Sequence, residues 1–74
     1  MEFNHSLILF YSSNYTMWAN NVLQDDGIIC KLVAVPREIS SNCGHCIKIE
    51  FALKEKAHEL LTRKHVKIDR IVDI

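Results

Sequence analysis

The chain begins with a short apolar segment that is followed by a helical pattern. Leu7–Tyr11 is rich in β-forming residues and predicts a central strand. Ser12–Asn14 consists of residues that cap helix N-termini, and Gly27 stands where a helix ends in a left-handed residue. Apolar residues recur at helical spacing between them, at Tyr15, Trp18, Ala19, Val22 and Leu23. This phase predicts that Trp18 lies in the core and that Thr16 faces solvent.

The second half of the chain contains two more strands and a second helix. Ile28–Val35 is strongly β-forming, and His45–Phe51 alternates between apolar and polar positions. Leu53–Leu61 has an amphipathic helical pattern whose residue Leu60 we expect in the core. Val66–Ile74 predicts a last strand, in which Val66, Ile68, Val72 and Ile74 share one face. Arg70 interrupts this phase and indicates a bulge or a change of register.

The order β-α-β-loop-β-α-β predicts an α+β fold. The expected architecture is a two-layer ferredoxin-like sandwich, in which a four-stranded antiparallel sheet carries two helices on one face. A two-layer sandwich with another strand order is the alternative. At 74 residues, the chain is one domain, residues 1–74. The sheet face without helices would expose Ile29, Val33 and Val35, which favours a partner on that face, often a second copy in a homodimer.

Composition and charge narrow the classes of function. Hydrophobic residues make up 49% and charged residues 24% of the chain, and nine Lys and Arg balance nine Asp and Glu. A net charge of zero argues against a nucleic-acid binder and against a basic membrane-surface helix. No segment has the pattern of a signal peptide or of a membrane span. We expect a cytoplasmic carrier or binding module, rather than a stand-alone enzyme, with no cofactor and no metal.

The loop Pro36–Gly44 contains the side chains that are most suited to binding or catalysis. It is polar and nine residues long, and long loops in compact domains are often functional. Cys43 lies directly before Gly44, whose missing side chain lets another molecule approach. Nearby Arg37 and His45 favour a thiolate, and further donors for an anionic sulfur come from Ser40, Ser41 and Asn42. On composition alone, a structural loop cysteine is an equal alternative.

The string Cys43-Gly44-His45-Cys46 has other interpretations. Disulfide isomerases carry this tetrapeptide at the start of a helix, whereas here a strand pattern follows it. Bridging Cys43 to Cys46 therefore requires Cys43 to lie in the turn. A zinc site would need a second ligand pair that the chain lacks. Cys30 is expected to be a buried small hydrophobic residue, and Cys46 a strand residue on the less covered sheet face.

A family resemblance adds to this interpretation of the loop. Val35–Gly44 resembles the P-R-E-I-S-S-x-C-G signature of the selenium/sulfur carrier protein-like family, a group of small bacterial proteins. The resemblance extends over nearly the whole chain and implies that Cys43 carries sulfur or selenium as a persulfide or perselenide. The chain departs from the family pattern after Gly44, where the family usually has an aliphatic residue or alanine and this chain has His45 and Cys46.

The resemblance implies a carrier that works between two proteins. A donor enzyme would hand sulfur or selenium to the Cys43 thiolate, and the loop would present it to an acceptor protein. Arg37 would stabilise the anion, Pro36 and Gly44 would fix the loop ends, and Cys46 is the candidate resolving thiol. The alternative is a non-catalytic regulatory module of ferredoxin-like fold that binds a small ligand or a protein through the same loop.

Overall fold

Strands and helices follow one another along the chain in the order that the sequence pattern predicts. The computed structural model describes residues 3–39 and 44–74. Its elements are β1 (His5–Phe10), α1 (Ser13–Asp25), β2 (Cys30–Ala34), β3 (His45–Glu50), α2 (Lys54–Arg63) and β4 (Ile68–Asp73). A short 3-10 turn, Phe51–Leu53, joins β3 to α2. Tyr11, Phe51 and Val66, which the pattern assigned to strands, lie just outside them.

The four strands form one antiparallel sheet in the order β2-β3-β1-β4. β1 pairs with β3 and with β4, and β2 pairs with β3. Because β1 and β2 both run antiparallel to β3, the end of β1, the end of β2 and the start of β3 meet at one end of the sheet. This arrangement confirms the predicted α+β fold, a two-layer sandwich of the ferredoxin-like type.

The main core lies between the sheet and the two helices. Ile8 and Phe10 of β1 and Ile47 and Ile49 of β3 project to this side. The helices and their connections contribute the other buried members of this cluster, Ala19, Leu23, Ile28, Ala57, Leu60, Leu61 and Val66. The expected burial of Leu60 is therefore confirmed. Both helices cover the same face of the sheet, and we call the other face the open face.

The residues of helix α1 that face the core differ in part from those that the apolar spacing predicted. Its buried residues are Thr16, Ala19 and Leu23, which follow helical spacing. Trp18 is 43% exposed and stacks on Tyr15 with ring centroids 6.4 Å apart, so its predicted place in the core is wrong. Thr16 is buried instead of solvent-facing, because its hydroxyl donates to the Ser12 carbonyl at 3.1 Å and can therefore be buried without an unmet hydrogen bond.

The last strand contains the predicted irregularity. The pairing of β4 with β1 shifts register between Leu9 and Phe10, so that Leu9 lies opposite Arg70 and Phe10 lies opposite Ile68. After this shift, Ile68 and Ile71 pack on the helix side, and Val72 packs on the open face. The extra residue in β4 therefore explains why the expected common face of Ile68 and Val72 does not exist.

A polar cluster joins the first strand and the last strand to the start of α2. The buried Ser6 hydroxyl donates to Asp73 Oδ1 at 2.8 Å, and Lys54 Nζ donates to Asp73 Oδ2 at 2.9 Å. These two hydrogen bonds hold the pKa of Asp73 below its usual range. The bond from Lys54 has the larger effect, and the bond from Ser6 adds to it. The contacts connect β1, β4 and the start of α2 at the end of the sheet opposite the β2–β3 loop.

Both helices end in a left-handed residue, but only one of these residues is a glycine. Gly27 follows α1 with φ +78°, and His65 follows α2 with φ +64°. In each case, the next residue returns a hydrogen bond to the last turn, from Ile28 N–H to the Leu23 carbonyl and from Val66 N–H to the Leu61 carbonyl, both at 2.9 Å. His65 therefore occupies a conformation that normally favours glycine.

We expect opposite effects from exchanging residue types at these two helix ends. His65→Gly should stabilise the protein by about 1 kcal/mol, because the left-handed backbone strains a residue that has a Cβ. Gly27→Ala should destabilise it by about 1 kcal/mol through the backbone alone, since an added Cβ there meets no atom within 4 Å. Urea unfolding of both variants checks this. A loss of stability in His65→Gly would contradict the described helix end.

Candidate functional site

Three connections lie together at one end of the sheet. They are the β1–α1 turn, the β2–β3 loop and the turn from α2 to β4, because β1 and β2 end there while β3 and β4 begin there. We call this end the loop end. The sequence places every predicted site residue in or beside the β2–β3 loop, Pro36, Arg37, Ser40, Ser41, Asn42, Cys43, Gly44, His45 and Cys46. The four residues Ser40 to Cys43 lie outside the described residues.

Backbone hydrogen bonds fix the two stems of the loop. Val35 N–H donates to the Gly44 carbonyl at 3.1 Å, which extends the β2–β3 ladder by one pair beyond Ala34 and His45. Ile39 N–H donates to the Pro36 carbonyl at 3.0 Å and closes a turn at the start of the loop. Pro36 and Gly44 therefore lie at the two ends of the loop, as the sequence predicted.

A second apolar cluster lies on the open face, beneath the start of the loop. Leu7, Leu9 and Cys46 are its buried members, and Val33, Val35, Ile39 and Val72 pack against them. Val33 and Val72 belong to the flanking strands, Val35 follows β2 directly, and Ile39 belongs to the loop. The chain therefore covers this half of the open face itself. Ile29, at the other half, is 78% exposed.

Cys46 belongs to this cluster and not to the surface of the loop. It lies on the open face, opposite Val33 in the sheet, and it is fully buried. The sequence predicted this face but not the burial. A buried thiol is shielded from reagents in solution. A resolving role for Cys46 therefore requires that the residues packed over it move aside.

Cys30 is less buried than the sequence predicted. Its side chain is half-buried at the edge of the helix-side core, and its thiol donates to Asn20 Oδ1 at 3.4 Å. Burial raises the pKa of the Cys30 thiol above its usual value. Because the thiolate is the nucleophilic form, Cys30 is a weak nucleophile at neutral pH.

The charges of the loop end favour an anion. Its connections carry Arg37, Lys64 and Lys67 against Glu38, and His45 and His65 are also exposed there. The described residues near the opposite end carry more carboxylates than lysines, namely Asp25, Asp26, Glu50, Glu55 and Asp73 against Lys31, Lys54 and Lys56. Helix α1 also begins at the loop end, and its first turn contains no acidic residue. Its positive end is therefore not neutralised within the helix.

Residues 3–39 and 44–74 contain no group of three or more His, Cys, Asp or Glu side chains arranged to hold a metal ion. In the same described ranges, no helix combines the length and the apolar character needed to cross a membrane.

Ile39 is the residue that the sequence analysis overlooked. The sequence pattern of the loop is polar, yet Ile39 packs against the open-face cluster. The available signal was its position as the one aliphatic side chain between Pro36 and Gly44. A single apolar residue in an otherwise polar loop often indicates a contact that attaches the loop to the core.

Comparison with known proteins identifies a family for the chain but finds no individual relative. The family described as "Putative Se/S carrier protein-like" matches residues 5–73. No curated protein and no solved structure matches the chain. Since the match extends from the first residue of β1 to the last residue of β4, the chain belongs to this Se/S carrier protein-like family.

Proposed function

We propose that the protein carries sulfur or selenium on Cys43, as a persulfide or perselenide, between a donor enzyme and an acceptor protein. The observation that carries this proposal is membership of the Se/S carrier protein-like family over residues 5–73. Cys43 is the cysteine of the loop that resembles the family signature, and the two other cysteines are half-buried or fully buried. The carrier thiol is therefore assigned to Cys43 by its sequence position.

Loading on Cys43 is a thiol exchange that needs no external oxidant. The Cys43 thiolate attacks the terminal sulfur of a persulfide on the donor enzyme, a new S–S bond forms, and the donor cysteine leaves as a thiolate. An acceptor thiolate can later attack the same terminal sulfur, which returns Cys43 to its thiolate form. Both steps move one sulfur atom without a net change of oxidation state.

The electrostatics of the loop end support this chemistry. The thiolate and the persulfide are both anions, and Arg37 is the cation of the loop itself. Arg37 is exposed, and neither ion pair among the described residues, Lys54–Asp73 or Arg63–Glu59, includes it. Its charge is therefore available to an anion in the same loop.

Cys46 offers a second route of release. Its attack on the Cys43 sulfur would form a Cys43–Cys46 disulfide and release hydrosulfide, and an external dithiol would then reduce the disulfide. Because Cys46 is fully buried in the open-face cluster, against which Val35 and Ile39 pack, this route requires that packing to open around Cys46. Direct transfer to an acceptor thiol needs no such movement and is the route we favour.

Sulfur loading on Cys43 can be measured by mass spectrometry. After incubation with a cysteine desulfurase and cysteine, the protein should gain one sulfur atom that maps to the Cys43 peptide. Cys43→Ser should abolish the gain, and Cys30→Ser, which removes another thiol, should retain it. Sulfur on Cys46 in the parent protein would contradict the assignment. Absence of any gain with sulfur and selenium donors would favour the binding-module alternative.

The reactivity of the loop thiol should depend on the loop charges. In a pH series of alkylation, Cys43 should react before Cys30 and Cys46, with a midpoint below about 8.5, the value of an unperturbed thiol. Arg37→Ala should raise this midpoint, and Glu38→Gln, which removes the adjacent negative charge, should lower it. Both shifts should shrink in high salt because the two side chains are exposed. Equal midpoints in all three proteins would contradict the role of Arg37.

A further inference from the structure

Two lysines face each other on the part of the open face that the loop leaves uncovered. Lys31 of β2 and Lys48 of β3 are direct partners in the sheet register. Like charges directly opposite each other on antiparallel strands destabilise the pairing. The ion pairs among the described residues are Lys54–Asp73 and Arg63–Glu59, so neither Lys31 nor Lys48 is paired with a carboxylate there.

A surface pocket lies beside this lysine pair. It encloses about 190 Å³ and is lined by His5, Ile29, Cys30, Lys31, Lys48, Ile49 and Glu50. Lys48 is half-buried, and its cross-strand neighbour on the other side is Leu7, which is buried. Partial burial of Lys48 reduces the screening of its charge by water, which strengthens its attraction for an anion.

We propose that Lys31 and Lys48 bind one small oxyanion of the phosphate or sulfate type between their ammonium groups. Directly opposed residues have Cα atoms about 5 Å apart, so both ammonium groups can reach different oxygens of one tetrahedral anion. A bound oxyanion would also cancel the repulsion within the pair. Chloride offers a single centre and lacks this bridging geometry.

Glu50 limits what the site can accept. It lies two residues after Lys48 in β3, lines the same pocket and is the cross-strand partner of His5. Its carboxylate repels an anion and therefore weakens binding between the two lysines. Glu50→Gln should therefore tighten oxyanion binding, in the opposite direction to the lysine variants.

The site is separate from the loop end and independent of the proposed carrier chemistry. Gly44 lies four residues before Lys48 in the chain, a span of about 13 Å at about 3.3 Å per strand residue. A protein that fails to load sulfur on Cys43 can therefore still bind an oxyanion here, and the reverse also holds.

NMR titration with inorganic phosphate tests the proposal, with NaCl used to match the ionic strength. The backbone amides of His5, Lys31, Lys48 and Glu50 should shift and saturate with phosphate but not with NaCl. Lys31→Gln and Lys48→Gln should each raise the apparent Kd by about fivefold, the upper end for one exposed ion pair. Lys56→Gln, which removes an exposed lysine from α2, should leave the Kd unchanged.

Thermal unfolding gives a second readout. Phosphate should raise the Tm of the parent protein more than that of Lys31→Gln, because a ligand stabilises only the state that binds it. In NaCl alone, Lys31→Gln should be at least as stable as the parent, since the like-charge contact is gone. Shifts that do not saturate, or that persist unchanged in both lysine variants, would overturn the proposal. A lysine pair that binds an acidic peptide but not phosphate would overturn it as well.

Discussion

The structure depends on one constraint, which is that the sheet is apolar on both faces while both helices lie on the same face. β1 shows this most clearly, because Ile8 and Phe10 face the helices while Leu7 and Leu9 face the other way, and all four are buried. Within residues 3–39 and 44–74, neither α1 nor α2 lies on the second face. Val35, directly after β2, and Ile39 of the β2–β3 loop help to cover this face, since both pack against the cluster of Leu7, Leu9 and Cys46.

This packing divides the open face into two regions with different chemistry. Beneath the loop, the face is apolar and contains the buried Cys46. Beyond the loop, it is polar and contains the opposed Lys31 and Lys48 beside the exposed Ile29. The loop that contributes Ile39 to the first region is also the segment in which the sequence places Cys43, the proposed carrier thiol. The homodimer expected from an apolar open face remains a prediction. Of the three residues on which it rests, Val33 and Val35 pack within the chain and Ile29 is exposed.

The sequence was sufficient for the fold because the strands and helices have clear periods. Alternation at Ile47 and Ile49, the turn residue Gly27 and the interruption at Arg70 each predicted a feature that the structure contains. It failed where a side chain had two plausible environments. Trp18 is apolar but lies at the margin of the helix face that packs on the sheet. Thr16 is polar, but its hydroxyl forms a hydrogen bond with the backbone of its own helix end. In the site, the sequence identified the loop and the face of Cys46. It could not show that Cys46 is buried, because Ile39 covers this cluster through a long-range contact without a periodic signal.

The central claim, that Ile39 attaches the loop to the open-face cluster that contains Cys46, is tested most directly by the alkylation rate of Cys46 in the folded protein. Ile39→Ala should increase this rate by about tenfold. This corresponds to a decrease of about 1.4 kcal/mol in the free energy of local opening, because the variant truncates a half-buried isoleucine. Ile29→Ala removes the same atoms from an exposed residue outside the cluster and should leave the rate unchanged. An unchanged rate in Ile39→Ala, or equal increases in both variants, would contradict the account.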